Sequence, residues 1–180
     1  MDNVGLKKGY VELMDYQEDY PTIYEKEKEE LLRIYKDRIA LIEHVGSTSI
    51  KDIKSKPIID ILIFTNDIED FKQYTESNVE GETYTVKKEP TKGGDYLIRK
   101  EEDGKVKAFI HVFNTGDERG NRSIVFRDYL NTHEEERIRY NELKISLCKS
   151  NQSNRKAYSL GKEDYIDKIT AIAFNEKKED

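Results

Sequence analysis

The stretch that most limits what this chain can fold into runs from Ile39 to Phe64. Ile39 to Val45 reads as a strand that ends abruptly at Gly46 and Ser47, and after the spacer 48 to 59 a second strand carries one charge, Asp60, among Ile58, Ile59, Ile61, Leu62 and Ile63. Glycine at the mouth of a strand lets backbone come close to a ligand, and a hydroxyl with free N–H groups holds phosphate oxygens. An acid inside the next strand can hold a divalent cation that neutralises those phosphates. The rest of the chain is read as scaffold and walls for this pair.

Composition narrows the classes. With 180 residues the chain suits one domain with a real core, expected here over 1–180 with a helical tail from about 121. Charged residues make up 38% and the net charge is −6, which argues against nucleic-acid binding through bulk charge. A single cysteine, Cys148, excludes an internal disulfide and fits a reducing compartment. The first residues lack the apolar stretch of a leader, and no apolar run approaches spanning length, so a soluble cytoplasmic protein with no membrane partner is expected.

Along the chain, Tyr10, Val11, Leu13 and Tyr16 are candidate packing anchors, and Pro21 opens a helix to about Asp37. Asn66 and Asp67 cap a helix over 68 to 77. Three strands are expected over 83–88, 96–100 and 106–113, the last two joined by a turn at Asp103 and Gly104 that tolerates positive φ. Residues 114 to 122 read as a loop. Phe126, Tyr129 and Leu130 share a short helix, and Thr132 with Glu135 forms a capping box for the next, whose apolar residues include Ile138, Leu143 and Leu147. A last helix, over 162 to 176, buries Ile166, Ile169 and Ala173. This order predicts an α+β domain with a mixed sheet flanked by helices.

Several residues can do chemistry. Asp60 among isoleucines costs stability unless a cation or hydrogen bonds meet it; it either binds a metal or ligand, or caps the turn and pairs with Lys56. His44 and His111 sit in apolar strand contexts, either as satisfied core residues or, with Asp60, as ligands of a metal such as Zn or Mn or as a proton acceptor. Residues 119 to 162 hold ten Lys/Arg against five Asp/Glu. That local excess suits a wall facing phosphates, with Arg127, Lys144 and Lys162 as contacts, although Arg127 beside Asp128 equally suits a structural pair.

These residues carry a resemblance. Ile42 to Ile50, Lys56 to Ile61, Phe109 to Val112, Phe126 to Leu130, Tyr140 to Lys144 and Tyr158 to Lys162 closely resemble the GrpB (UPF0157) family. That family is assigned to the nucleotidyltransferase superfamily, typified by DNA polymerase beta and antibiotic nucleotidyltransferases; some relatives are fused to dephospho-CoA kinase, which implies a link to coenzyme A metabolism. The resemblance implies a nucleotidyltransferase-like sheet with a C-terminal helical extension. It further implies transfer of a nucleoside monophosphate from an NTP to an acceptor, or a degenerate relative that binds a nucleotide or phosphorylated metabolite. Gly46, Ser47, Thr48, Lys56, Arg127, Lys144 and Lys162 would hold phosphate. Asp60 and His111 would be catalytic, and Asp60, His111 and His44 would hold Mg or Mn, with Zn as an alternative. The superfamily pattern places a second acid at position 62, where this chain has Leu62, and no clear third acid appears on the strand holding His111. Two-metal transfer uses paired acids to hold both ions, so Leu62 favours the binding reading. Asp60 and the histidines favour nucleotidyl transfer, which is the first expectation, with the binding module as its alternative.

Overall fold

The structure, a computed structural model, describes residues 4–7, 11–88, 93–152 and 154–179, with side chains described to 176. Tyr10, expected as a packing anchor, lies outside the described residues. In chain order the elements are β1 (Leu6–Lys7), α1 (Tyr20–Tyr35), β2 (Leu41–Val45), β3 (Ile59–Thr65), α2 (Ile68–Asn78), β4 (Tyr84–Val86), β5 (Tyr96–Glu102), β6 (Lys105–Asn114), α3 (Glu118–Thr132), α4 (Glu134–Ser150), α5 (Arg155–Leu160) and α6 (Glu163–Glu179). Short 3-10 turns follow α1 (Lys36–Arg38) and β2 (Ser47–Ser49).

The sheet is six-stranded and mixed, in the order β2-β3-β6-β5-β4, with β1 pairing to β6. β3 and β6 run parallel at its centre; β2 joins β3 antiparallel, and β5 joins β6 antiparallel. Strands alternate faces, so the register sorts the side chains. Ile59, Ile61 and Ile63 of β3, with Ala108, Ile110 and Val112 of β6, face one way. They pack with Tyr20, Leu31 and Tyr35 of α1 and Phe71 of α2 in the main core. Each such fully buried side chain contributes about 1.5–3 kcal/mol, so this layer fixes the register firmly. Asp60, Leu62 and Phe64, level with Phe109, His111 and Phe113, face the other way.

That second face is covered only in part. Val45, Leu62, Phe64 and Phe113 cluster with Ile124 of α3. The helical tail forms its own cluster, in which Phe126 and Leu130 of α3, Tyr140 of α4 and Ile169 of α6 meet Ile50 and Ile53 from the spacer. The spacer is therefore anchored. The backbone N–H of Lys51 donates to Asn131 Oδ1 at 3.1 Å and that of Lys54 to Asn141 Oδ1 at 2.8 Å. Backbone that would otherwise stay unpaired near the core is thus satisfied by the tail.

Local signals explain most elements. Asp67 caps α2, accepting from the N–H groups of Glu69 and Asp70 at 3.0 Å. Asp103 (φ +51°) and Gly104 (φ +69°) both take positive φ in the β5–β6 turn.

Four expectations change. Residues 114–122 are not all loop: Asp117 accepts from the N–H of Arg119 and starts α3 at Glu118. The capping box does not form, because the Thr132 hydroxyl donates back to the carbonyls of Asp128 and Tyr129 and His133 takes the cap position. The inner face of α4 is Tyr140 and Lys144, four residues apart, while Ile138 stays 50% exposed. The short helix α5, absent from the reading by periodicity, is capped by the Asn154 side chain accepting from the N–H of Ala157. No helix among the described residues is long and apolar enough to cross a membrane.

Candidate functional site

The site lies where β2 ends over β3. Val45 pairs with Asp60, so the turn at Gly46 sits directly beside the Asp60 carboxylate. Gly46 takes φ +72°, and Ser49 Oγ donates to its carbonyl at 2.7 Å, closing the turn. Asp60 is 30% exposed and opens into a cavity of about 560 Å³. Gly46, Ser47 and Lys162 line that cavity with Arg119, Glu163 and the ion pair of Arg122 and Asp167, and Phe126, Tyr140 and Ile166 supply its apolar surface. Volume and lining suit a small phosphorylated organic molecule. Gly46, Ser47, Asp60 and Lys162 are thus brought together.

His111 shares the Asp60 face but is already engaged. Its Nδ1 lies 2.6 Å from Asp95 Oδ2 and its Nε2 3.9 Å from Asp60 Oδ1, the latter an ion pair rather than a hydrogen bond. Burial works against a charged ring, but the two carboxylates outweigh it and push the His111 pKa up to about 9. Burial likewise opposes ionisation of Asp60, and His111, then Lys56 and Lys162, outweigh it and hold the carboxyl below its ordinary range. Two flanking carboxylates favour the imidazolium, the form of the ring that neither ligates a metal nor accepts a proton.

Asp95 is the acid that sequence reasoning missed. Counting pairs outward from the Asp103–Gly104 turn in an unbroken hairpin would place His111 opposite Tyr96 and put Asp95 on the far face. A bulge beside Lys100 and Glu101 leaves Lys107 unpaired and shifts the register by one, so His111 pairs with Leu97. Asp95 then lies on the His111 side. Arg155 was missed as well: it begins α5 and lays its guanidinium over the Phe109 ring at 4.7 Å. Its only sequence signal was the basic excess of the tail.

Four expected contacts are corrected. His44 pairs with Ile61 and so faces α1, away from the cleft; its ring stacks on Tyr24 at 4.8 Å and its Nε2 meets Thr48 Oγ1 at 2.9 Å. Burial pushes its pKa down to about 4, so it stays neutral and structural. Thr48 is spent on that hydrogen bond and is buried. Arg127 clamps α3 to β2, donating to Glu43 Oε2 and the His44 carbonyl, both at 2.7 Å, and to Asp128; the structural pair holds. Lys144 is fully buried, with its ammonium against the Tyr140 ring and donating to the Lys54 carbonyl. It positions the loop carrying Lys56 and does not line the cleft.

The donor set around Asp60 is sparse. Among the described residues no group of three or more His, Cys, Asp or Glu is placed to hold an ion. Asp60 is the only acid of the expected set on β3, Leu62 is buried at the second position, and His111 is held by carboxylates. These residues do not fit a two-ion site.

A mixed sheet with helices on both faces is an α+β fold of the nucleotidyltransferase-like kind. The fold is shared with terminal uridylyl transferase 4 of Trypanosoma brucei, solved with bound dUTP (TM-score 0.50, 11% identity, 82% of this chain and 52% of that one), a likeness of fold. The chain belongs to the GrpB family: the profile described as GrpB protein matches residues 10–171. The crystal structure of conserved protein GrpB from Enterococcus faecalis superimposes at TM-score 0.80 with 26% identity, covering 92% of this chain and 99% of that one. UPF0157 protein YqkA of Bacillus subtilis is 33% identical over 159 residues, 88% of this chain but 46% of its own length, so the chain spans about half of that relative. The glutamate-rich protein GrpB of Alkalihalophilus pseudofirmus is 28% identical over 169 residues, covering 92% of this chain and 97% of that protein.

Proposed function

We propose that this chain binds a nucleotide or a similar phosphorylated metabolite in the Asp60 cleft and acts as a binding module on a nucleotidyltransferase-like core. The observation that carries the reading is the convergence of the Gly46–Ser47 turn and Lys162 on one cavity with an apolar wall. Phosphate oxygens would sit between the turn and the ammonium, and the organic part would lie against Phe126, Tyr140 and Ile166.

A second reading, nucleotidyl transfer through one ion on Asp60, is favoured by the exposure of that carboxylate to the cleft. Leu62 and the engaged His111 weigh against it. Any acceptor, and any role in coenzyme A metabolism, belongs to the proposal.

The test is a thermal-shift titration of wild type and Asp60→Asn with ATP, UTP and dephospho-CoA. A ligand that binds only the native state raises Tm by linkage. A rise with at least one compound in both proteins supports the binding module. A rise that needs Mg²⁺ and disappears in Asp60→Asn supports the transferase, and no rise with any of them sinks both.

A further inference from the structure

We propose that Asn131 and Thr48, neither of which lines the cleft, are positioning residues that hold the Gly46–Ser47 turn in the shape that receives phosphate. The proposal rests on the phosphate reading of the cleft and deepens it by naming what sets the geometry of the phosphate end.

The turn has little hold on itself. Its two 3-10 backbone bonds are long, 3.3 Å from the Ser49 N–H to the Gly46 carbonyl and 3.4 Å from the Ile50 N–H to the Ser47 carbonyl. A good N–H···O bond measures about 2.9–3.0 Å. One side-chain bond inside the turn, from Ser49 Oγ to the Gly46 carbonyl, adds to them. A turn this short and this weakly bonded keeps one shape where its surroundings fix it.

α3 grips the turn from outside, on both sides. Before it, Arg127 donates to the His44 carbonyl at 2.7 Å. After it, the Asn131 side chain spans two residues: Nδ2 donates to the Ser49 carbonyl and Oδ1 accepts from the Lys51 N–H, each at 3.1 Å. Arg127 and Asn131 are four residues apart and so lie on one face of the helix. The helix is itself pressed onto the sheet at Gly120, where an added Cβ would stand 2.7 Å from the Phe64 ring. The same helix lines the cleft through Arg119, Arg122, Ser123 and Phe126. Cleft wall and turn are therefore set by one element.

Thr48 holds the turn from the opposite face of the sheet. Its hydroxyl lies 2.9 Å from His44 Nε2, and that ring is stacked on Tyr24 of α1. Thr48 is buried, so its hydrogen bond serves the turn and not the ligand. Asn141 of α4 makes a comparable bond farther along, accepting from the Lys54 N–H at 2.8 Å. No described residue from 48 to 59 lines the cleft. Losing the Asn141 bond loosens the spacer without touching the turn, which makes it the control for general structural damage.

The experiment is calorimetric titration of the full chain with ATP and with inorganic tripolyphosphate, each in MgCl₂ and in EDTA. Asn131→Ala and Thr48→Val should weaken both probes by about fivefold, because a turn that loses a tie spends part of its time in shapes that do not bind. Equal loss for the two probes locates the effect at the phosphate end. Thr48→Ser, which keeps the hydroxyl, and Asn141→Ala should bind as wild type does. Asn131 is exposed, so its variant decides the question even if Thr48→Val fails to fold. Wild-type affinity of Asn131→Ala for both probes overturns the inference and leaves the phosphate reading standing. A loss confined to ATP, or an equal loss in Asn141→Ala, overturns it in the same way. No binding of either probe to wild type in either buffer overturns both.

Discussion

A Cβ atom on Gly46 would stand 2.8 Å from the Cβ and 2.9 Å from the Cγ of Asp60. Real Cβ atoms do not approach carbon so closely, and φ +72° adds strain for any L side chain. The turn and the carboxylate therefore touch because position 46 is glycine. Gly46→Ala should cost about 1–3 kcal/mol, from the left-handed φ and the forced shift of Asp60 together. Chemical denaturation measures the cost. Ligand titration of the folded variant should show weakened binding, because the turn must lift off β3; unchanged stability and affinity would show that the turn is not held there.

The imidazolium of His111 makes stability depend on pH in alkali. Its folded pKa, about 9, lies above the ordinary value of 6.5. The folded state then holds the proton more tightly than the unfolded chain, so the contribution is complete below pH 6.5 and is lost as pH rises toward 9. The ring is 33% exposed, and solvent screening leaves about 1 kcal/mol. Asp95→Asn removes the partner 2.6 Å away. It should lower the His111 pKa in an NMR titration of the ring protons and flatten the alkaline loss. A ring that titrates near 6.5 in the unmodified chain would refute the arrangement.

The parts of this fold that were legible in the sequence are those set by local chemistry. The uninterrupted apolar run of β3, the Asp67 cap and the Asp103–Gly104 turn all speak through adjacent residues. The Asp60 cleft was legible for the same reason, since a lone acid in an isoleucine run demands a partner. What stayed hidden depends on register and on long-range burial. No local signal marks the bulge at Lys107, yet it decides which face Asp95 occupies. Lys144 read as a surface cation because four methylenes and an ammonium suit either a phosphate or a buried carbonyl. Only the Lys54 carbonyl, brought near by tertiary packing, decides between them. His44 and His111 have similar neighbours in sequence but lie on opposite faces of the sheet, and their pKa values are driven in opposite directions.

His44 supplies the acid counterpart of His111. Its folded pKa, about 4, lies below 6.5, so the unfolded chain binds the proton first. Its contribution is present above pH 6.5 and is lost as pH falls toward 4. The ring is only 9% exposed, and protonating it between Tyr24 and Thr48 costs about 2–3 kcal/mol. His44→Gln should remove much of the acid loss between pH 6.5 and 4. Denaturation midpoints across that range check it, and an unchanged slope in the variant would place the acid sensitivity elsewhere.

Lys144 separates a structural cation from a binding one. Its side chain is fully buried, and burial, then Lys162 and Lys56, push its amine well below the usual lysine range. Lys144→Ala would leave a void and an unpaired Lys54 carbonyl, a loss of about 3 kcal/mol or more. Lys144→Met fills the same volume and no longer buries an amine, so it should lose only about 1 kcal/mol, chiefly from that carbonyl. Because the ammonium does not line the cleft, ATP affinity of the folded Met variant should change little, whereas Lys162→Gln should weaken it about tenfold. Paired denaturation and titration of the two variants read both effects. A large affinity loss in Lys144→Met with stability intact would return Lys144 to the binding site.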